Sequence, residues 1–293
     1  MDKFIQLTIS GIADGAILAL VALGFVLIFK SSDVINFAQG ELLMIGAYLT
    51  YATIQQLGLA WPIGVGVAVA LSALAAVLIE QLVLRPLIGE PVISVIMVTI
   101  GLSSLLRAIV GAIWGVSPLP APQIIPETPV QLLGASVSAN RLWAIGISIA
   151  LFAALTVFFR RSSEGIAMRA VADNQQAALS MGISVRHIWA VSWAIAAVTA
   201  AVGGILLAGI FGGVGAPIGS VGLLVFPVVI LGGLDSIPGA IVGGLIIGLL
   251  KQYAGGYTPA QLGLGDVIPF VVLVLILLVR PYGLFGQKMI ERV

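Results

Sequence analysis

Residues 188–234 read IWAVSWAIAAVTAAVGGILLAGIFGGVGAPIGSVGLLVFPVVILGGL, 47 consecutive residues without a Lys, Arg, Asp or Glu. A helix needs about 20 apolar residues to cross the hydrocarbon layer of a bilayer, so this stretch is long enough for two crossings. Residues 42–79 are likewise uncharged and likewise long enough for two. The rest of the chain has the same character: of 293 residues, 60% are hydrophobic and 9% are charged, and the mean hydropathy is +1.19. A soluble domain carries about 25% charged residues, and a chain this poor in charge cannot cover itself in water. The 13 Lys and Arg nearly cancel the 12 Asp and Glu. That balance excludes a basic nucleic-acid binder, an acidic tail and a disordered chain. The composition defines an all-α integral membrane protein.

Several chemistries are excluded as directly. Cysteine is absent, which removes disulfides, thiolate metal sites and cysteine nucleophiles. His187 is the one histidine, so no pair of imidazoles can hold a metal. There is no Gly-Lys-Ser/Thr phosphate loop, no HExxH and no GxSxG. The chain therefore offers no catalytic, cofactor-binding or metal residues, and it is not itself a P-loop ATPase. Glycine is abundant at 36 residues, against an ordinary share of about 7%. In a membrane protein that excess points to closely packed and interrupted helices.

Apolar segments predict spans near 9–29, 37–57, 62–83, 92–114, 142–159, 188–211, 217–233, 238–252 and 267–279. The expected architecture is a polytopic bundle of eight or nine spans within one transmembrane domain, 1–293. The seventh and eighth segments are short and interrupted by Gly and Pro, so either is a candidate half-helix. The first segment is too long, and too poorly charged ahead of its apolar run, for a cleaved signal peptide. Lys and Arg of short loops mark the cytoplasmic side. Arg160, Arg161, Arg169 and Arg186 place 160–187 there, joined by Lys30, Arg85, Arg280, Lys288 and Arg292. Loops 115–141, with Glu127 and Arg141, and 253–266 then face outward. Nine crossings put the amino terminus outside; if 217–233 dips in and returns, it lies inside. Trp61, Trp114 and Trp143 fall near predicted outer ends, as interfacial aromatics do.

Three segments stand out. The first, RRSSEGIAMRAVADNQQAALSMGISVRH over 160–187, is too polar to span and too patterned for a loose linker. Ser162 or Ser163 can cap a helix, with Glu164 in its first turn and Gly182 as its stop. A short helix of small residues suits insertion into a groove of another protein, or simply joins two spans. The second is Asp33–Glu41, DVINFAQGE. Asn36, Gln39 and Glu41 open the second span, and Gly40 weakens the helix there. These residues either line a broken helix on a solute path or cap a helix start in the headgroup zone. The third is Gly232–Gly239, GGLDSIPG, where Asp235 or Ser236 can cap a helix beginning at Pro238. Gly239 with Gly243, and Gly244 with Gly248, form GxxxG pairs that favour close helix packing over a hinge. Asp14 is either a path residue or an interface anchor. Arg107 and Glu80 have no evident partner in sequence and are expected to snorkel or pair locally.

Val34–Tyr48 (VINFAQGELLMIGAY), Gly165–Gly182, Gly232–Gly244 (GGLDSIPGAIVGG) and Arg280–Phe285 (RPYGLF) together resemble the LivH-type permease subunits of branched-chain amino acid ABC importers. The resemblance runs over essentially the whole chain. It implies a type II-like permease fold with broken helices and a place in the bacterial inner membrane. It further implies a second permease of LivM type or a second copy, two cytosolic ATPases carrying ATP and Mg, and a periplasmic solute-binding protein. On this resemblance 160–187 is a coupling segment resting on an ATPase, through Gly165, Ala167, Arg169, Ala170, Asp173, Asn174, Ala178 and Gly182. Asn36, Phe37, Gln39, Gly40, Glu41, Asp235 and Gly239 lie at the translocation path or gate. Two other readings stay open: the same importer class carrying urea or a short amide, and a stand-alone channel or secondary transporter.

Overall fold

The computed structural model describes residues 2–87, 90–125, 128–132 and 134–286. Each apolar stretch forms a helix whose backbone groups are satisfied internally, as a bilayer requires. α1 (Asp2–Ser32) is the central helix, buried along most of its length. Asp33–Ala38 then turns back without helical structure, and α2 (Gln39–Tyr51) starts alongside the middle of α1 and ends in one π-helical turn, Ala52–Gln56. α3 (Trp61–Ile79) likewise ends in a π turn, Glu80–Leu84. α4 (Val92–Trp114) follows, then strand β1 (Leu119–Pro120) and a hairpin of β2 (Pro129–Leu132) and β3 (Ala135–Ser138). α5 (Ala139–Arg161) leads to a platform of two short helices, α6 (Ser163–Asp173) and α7 (Gln175–Ser180). α8 (Val185–Phe211) returns to the hairpin end, where β4 (Gly213–Val214) pairs with β1. The chain then crosses in pieces, α9 (Ala216–Ser220), a 3-10 turn and α10 (Val225–Gly232). α11 (Ile237–Tyr257) and α12 (Leu264–Val279) complete it.

Contacts fix which helix ends lie together. Gln175 Nε2 donates to Ser31 O at 3.1 Å, and Arg85 Nη2 lies 3.5 Å from Arg186 O, so the ends of α1 and α3 sit beside the platform. Leu284 N and Phe285 N donate to the carbonyls of Leu231 and Gly232, which brings the end of α12 to the same place. Phe4 stacks on Tyr253 at the opposite end, and β3 packs on α1 there. The Lys and Arg of the short loops thus gather at the platform end, while Lys288, Arg292 and Glu127 lie outside the described residues. Among the described residues nine apolar segments alternate in direction.

The segment 216–232 runs from the β1–β4 pair to the platform end, so it crosses rather than dips. It is broken, as expected. The eighth segment is not: α11 is one helix of 21 residues, because its glycines stack it against its neighbours. Gly244 and Gly248 face Gly15 and Ala19 of α1, and Gly239 and Gly243 face Gly232 and Val228 of α10, with no room for a Cβ. Pro238 sits in its first turn, where no amide donor is required. The strands of 115–141 had no sequence signal beyond their prolines.

Candidate functional site

Asp33–Glu41 is the least regular stretch inside the bundle. Asp33 N donates to Phe29 O at 2.7 Å, and Gln39 Nε2 lies 3.4 Å from Val21 O. Those carbonyls are eight residues apart on α1, about 12 Å, so the chain climbs that far before α2 begins. Asn36, Gln39 and Glu41 are almost wholly buried, which places them inside the protein rather than in a headgroup zone. Their polar atoms are partnered locally. Asn36 Oδ1 accepts from Ala38 N at 3.0 Å, and Asn36 Nδ2 donates to Gln39 Oε1 at 3.2 Å. Thr99 of α4 donates to Ile35 O at 3.2 Å. The polar side chains thus take over part of the bonding that an unbroken helix would supply.

Phe37 is half-buried and stacks on Phe226 of α10, ring centres 4.7 Å apart; Phe226 in turn meets Phe25 of α1 edge-on at 5.5 Å. Gly40 lies against Gly219 and Gly222, so the first turn of α2 touches the α9–α10 crossing backbone to backbone. Glu41 carries a partner that sequence separation concealed: Arg107 Nη2 donates to its Oε1 at 2.6 Å. Glu80 is paired as well, with Arg85 through two hydrogen bonds of 3.1 and 2.9 Å. The intervening π turn brings residues five apart together. Asp14 joins three helices, accepting from Gln252 at 2.6 Å and from Arg141 at 3.5 Å, so it is an interface anchor.

The platform differs from a single helix ending at Gly182. Ser162 caps α6 by accepting from Gly165 N at 2.9 Å, but the helix stops at Asn174. The Asn174 side chain accepts from Ala177 N and starts α7, because a short amide competes with helical backbone bonding. Gly182, at φ +82°, ends the platform. Gly165 is buried where α6 turns back on α5, and a Cβ there would lie 2.6 Å from Phe158 O. Met168, Val171 and Ala178 are also buried, Ala167 and Ala170 half-buried, and Arg169, Asp173 and Asn174 exposed. Ala178 therefore holds the platform to the bundle, while Ile166, Leu179 and Met181 project from it. Sequence periodicity missed that outer trio because small residues occupy both faces.

Asp235 and Asp173 border a cleft of about 540 Å³ at the platform end, with Lys30 and Asp33. Gly239 is packed on Gly232, and Ser236 caps α11 by accepting from its N–H at 3.0 Å. Asp235 and Gly239 thus lie just beyond the end of α10, at the platform end, whereas Asn36, Gln39 and Glu41 lie further into the bundle.

Alternating membrane helices, a buried polar break in the second of them and a helical platform at one end define a polytopic membrane permease. Residues 7–277 match the family described as branched-chain amino acid transport system / permease component, and the chain belongs to that family. It is 30% identical to the high-affinity branched-chain amino acid transport system permease protein LivH of Escherichia coli K12, over 99% of this chain and 98% of that one. It is 29% identical to the corresponding BraD protein of Pseudomonas aeruginosa, with the same coverage. A probable LivH of Methanocaldococcus jannaschii is also 29% identical, over 94% of this chain and 92% of that one. In fold it is similar to a chain of PsaBC from Streptococcus pneumoniae in complex with Fab. The TM-score is 0.53 at 13% identity, over 96% of this chain and 93% of that chain.

Proposed function

We propose that the chain is one permease of an ATP-driven importer that carries branched-chain amino acids across the bacterial inner membrane. The observation that carries this reading is the family match through residues 7–277, which takes in both the break at Asn36–Glu41 and the α6–α7 platform. The partners are a second permease of LivM type or a second copy, two separate ATPase subunits holding ATP and Mg, and a periplasmic protein that delivers the solute. The platform meets an ATPase through Ile166, Arg169, Leu179 and Met181. Closure of the ATPase pair on ATP carries the platform with it and shifts the permeases between inward-open and outward-open states. The driving energy is the difference in ATP affinity between those states. The broken α2 and the α9–α10 crossing touch at Gly40, and they are the segments that can move without breaking a continuous helix.

Liposomes holding the assembled importer, with the binding protein outside and ATP enclosed with the ATPases, test this. ATP-dependent accumulation of labelled leucine, isoleucine or valine is expected. Accumulation of urea or a short amide instead would replace the solute, and uptake by the chain alone without an ATPase would replace the class.

A further inference from the structure

Arg107 is the sixteenth of the 23 residues of α4. Thr99, Leu102, Leu106 and Val110 form the buried face of that helix, and Arg107 sits at its border, with 53% of its side chain exposed. Its immediate exposed neighbours on the open side are small, Ser104 and Ala108, and the large exposed residues of that side, Ile100 and Met97, lie about two to three turns earlier in the helix. Nothing in the chain stands within 4 Å of a Cβ at Gly101, further along the same side. The guanidinium is not drawn towards either helix end. It is held on Glu41, whose side chain is 3% exposed, at the level where Gly40 meets Gly219 and Gly222. A cation at that depth does not face lipid; it faces protein or a water-filled path.

We infer that Arg107 is a solute contact in the translocation path, taking the carboxylate of the transported amino acid, with Glu41 as the residue that positions it. Among the described residues the one polar contact of the guanidinium is a single Nη2 donor on Glu41 Oε1. Its other N–H groups form a planar fork that matches a carboxylate. Glu41 is buried on the protein side and aims that fork outward, so the exposed edge presents net attraction to an anion group. Ser104 and Ala108 beside it leave room for an apolar side chain, and Ile100 and Met97 offer it apolar surface. The inference rests on the amino-acid reading above, because urea or an amide has no carboxylate for this group to hold.

The chain lacks cysteine, so Arg107→Cys in an importer of otherwise cysteine-free subunits gives one reactive site. In the assembled complex that thiol is expected to react with a water-borne methanethiosulfonate. Uptake of labelled leucine should fall roughly 10- to 100-fold, the effect of one lost charged hydrogen bond, while stimulation of ATP hydrolysis by the binding protein persists. Attachment of ethylammonium should restore part of the uptake, and attachment of the anionic ethylsulfonate none. A thiol that does not react places Arg107 against lipid or protein and overturns the inference. So does undiminished uptake in Arg107→Cys. The variant Glu41→Gln/Arg107→Gln leaves no lone buried charge, which guards against misfolding; its uptake is expected to stay low, and wild-type uptake would reduce the pair to a strut. A wild-type complex that carries no branched-chain amino acid would instead strike the proposed function.

Discussion

Gly40 of α2 and Gly222 of the α9–α10 crossing meet backbone to backbone, with no space for a side-chain carbon on either. One belongs to a helix that begins inside the bundle, the other to a 3-10 turn between two short helices. Each break therefore lies against the other, and the two irregular crossings form one joint.

Filling that joint should cost stability, whereas an open glycine should tolerate a methyl. Gly40→Ala and Gly222→Ala are each expected to destabilise by about 1–3 kcal/mol, the usual cost of overpacking. Gly101→Ala is the control, since a Cβ there meets nothing within 4 Å, and it gains helix propensity of about 1 kcal/mol. Thermal unfolding of the three variants in one detergent checks the contrast, and equal melting of all three would contradict the close approach.

The platform predicts a division between its two faces. Met181→Asp and Leu179→Asp alter side chains that project outward, so melting should be unchanged while the ATPase subunit is lost on purification. Loss of one apolar anchor should weaken that association roughly tenfold or more. Ala178→Trp acts on the inner face, where the residue is 3% exposed. It should lower the melting temperature first, through overpacking of about 1–3 kcal/mol. The melting curve and co-purification together separate the two faces.

How much of this was legible in sequence depends on the range of the interaction. Uncharged runs such as 188–234 reveal crossings because hydropathy is a property of each segment alone. The interruption ahead of α2 was only half visible: Asn36, Gln39 and Gly40 marked it, but a helix start in the headgroup zone fitted the same residues until their burial was known. The split of the platform at Asn174 was local too, yet hidden: Asn is tolerated within helices, and here its side chain caps the second one. The pair Glu41–Arg107 spans 66 positions and is set by helix packing, so no pattern announces it. Glu80–Arg85 spans five positions: the local pairing expected of Glu80 is present, but its partner escaped a reading based on helical spacing of three and four, because the π turn changes which residues align. Exposure of Leu179 rather than Ala178 depended on how the platform lies against α5 and α8, which neither helix encodes by itself.

Asp14 tests whether a polar group within α1 is structural. It accepts from Gln252 of α11 at 2.6 Å and from Arg141 of α5 at 3.5 Å. Asp14→Ala removes both acceptors and should destabilise by about 1–3 kcal/mol, from unsatisfied partners. Asp14→Asn retains an acceptor for Gln252 and should recover part of the loss. Equal transport per folded complex in all three forms is expected, and a transport defect without a melting defect would return Asp14 to the path.

Glu80 is the most demanding charge in the bundle, because its side chain is fully buried while Arg85 is 31% exposed. The two hydrogen bonds from Arg85 use both carboxylate oxygens. Removing the cation alone strands the anion, which typically costs about 3–5 kcal/mol for a buried pair. Arg85→Gln should therefore reduce the melting temperature and the yield of folded protein sharply. Glu80→Gln/Arg85→Gln removes both charges and leaves two amides able to bond across the same turn, so most of the loss should be regained. Glu80→Gln alone leaves only a partly exposed arginine that water can reach, and it should fall between them. Melting temperatures ordered wild type, double variant, Glu80→Gln, Arg85→Gln support the burial asymmetry. If the two single variants melt alike, Glu80 is solvated, and the π turn at the end of α3 is not sealed as the structure has it.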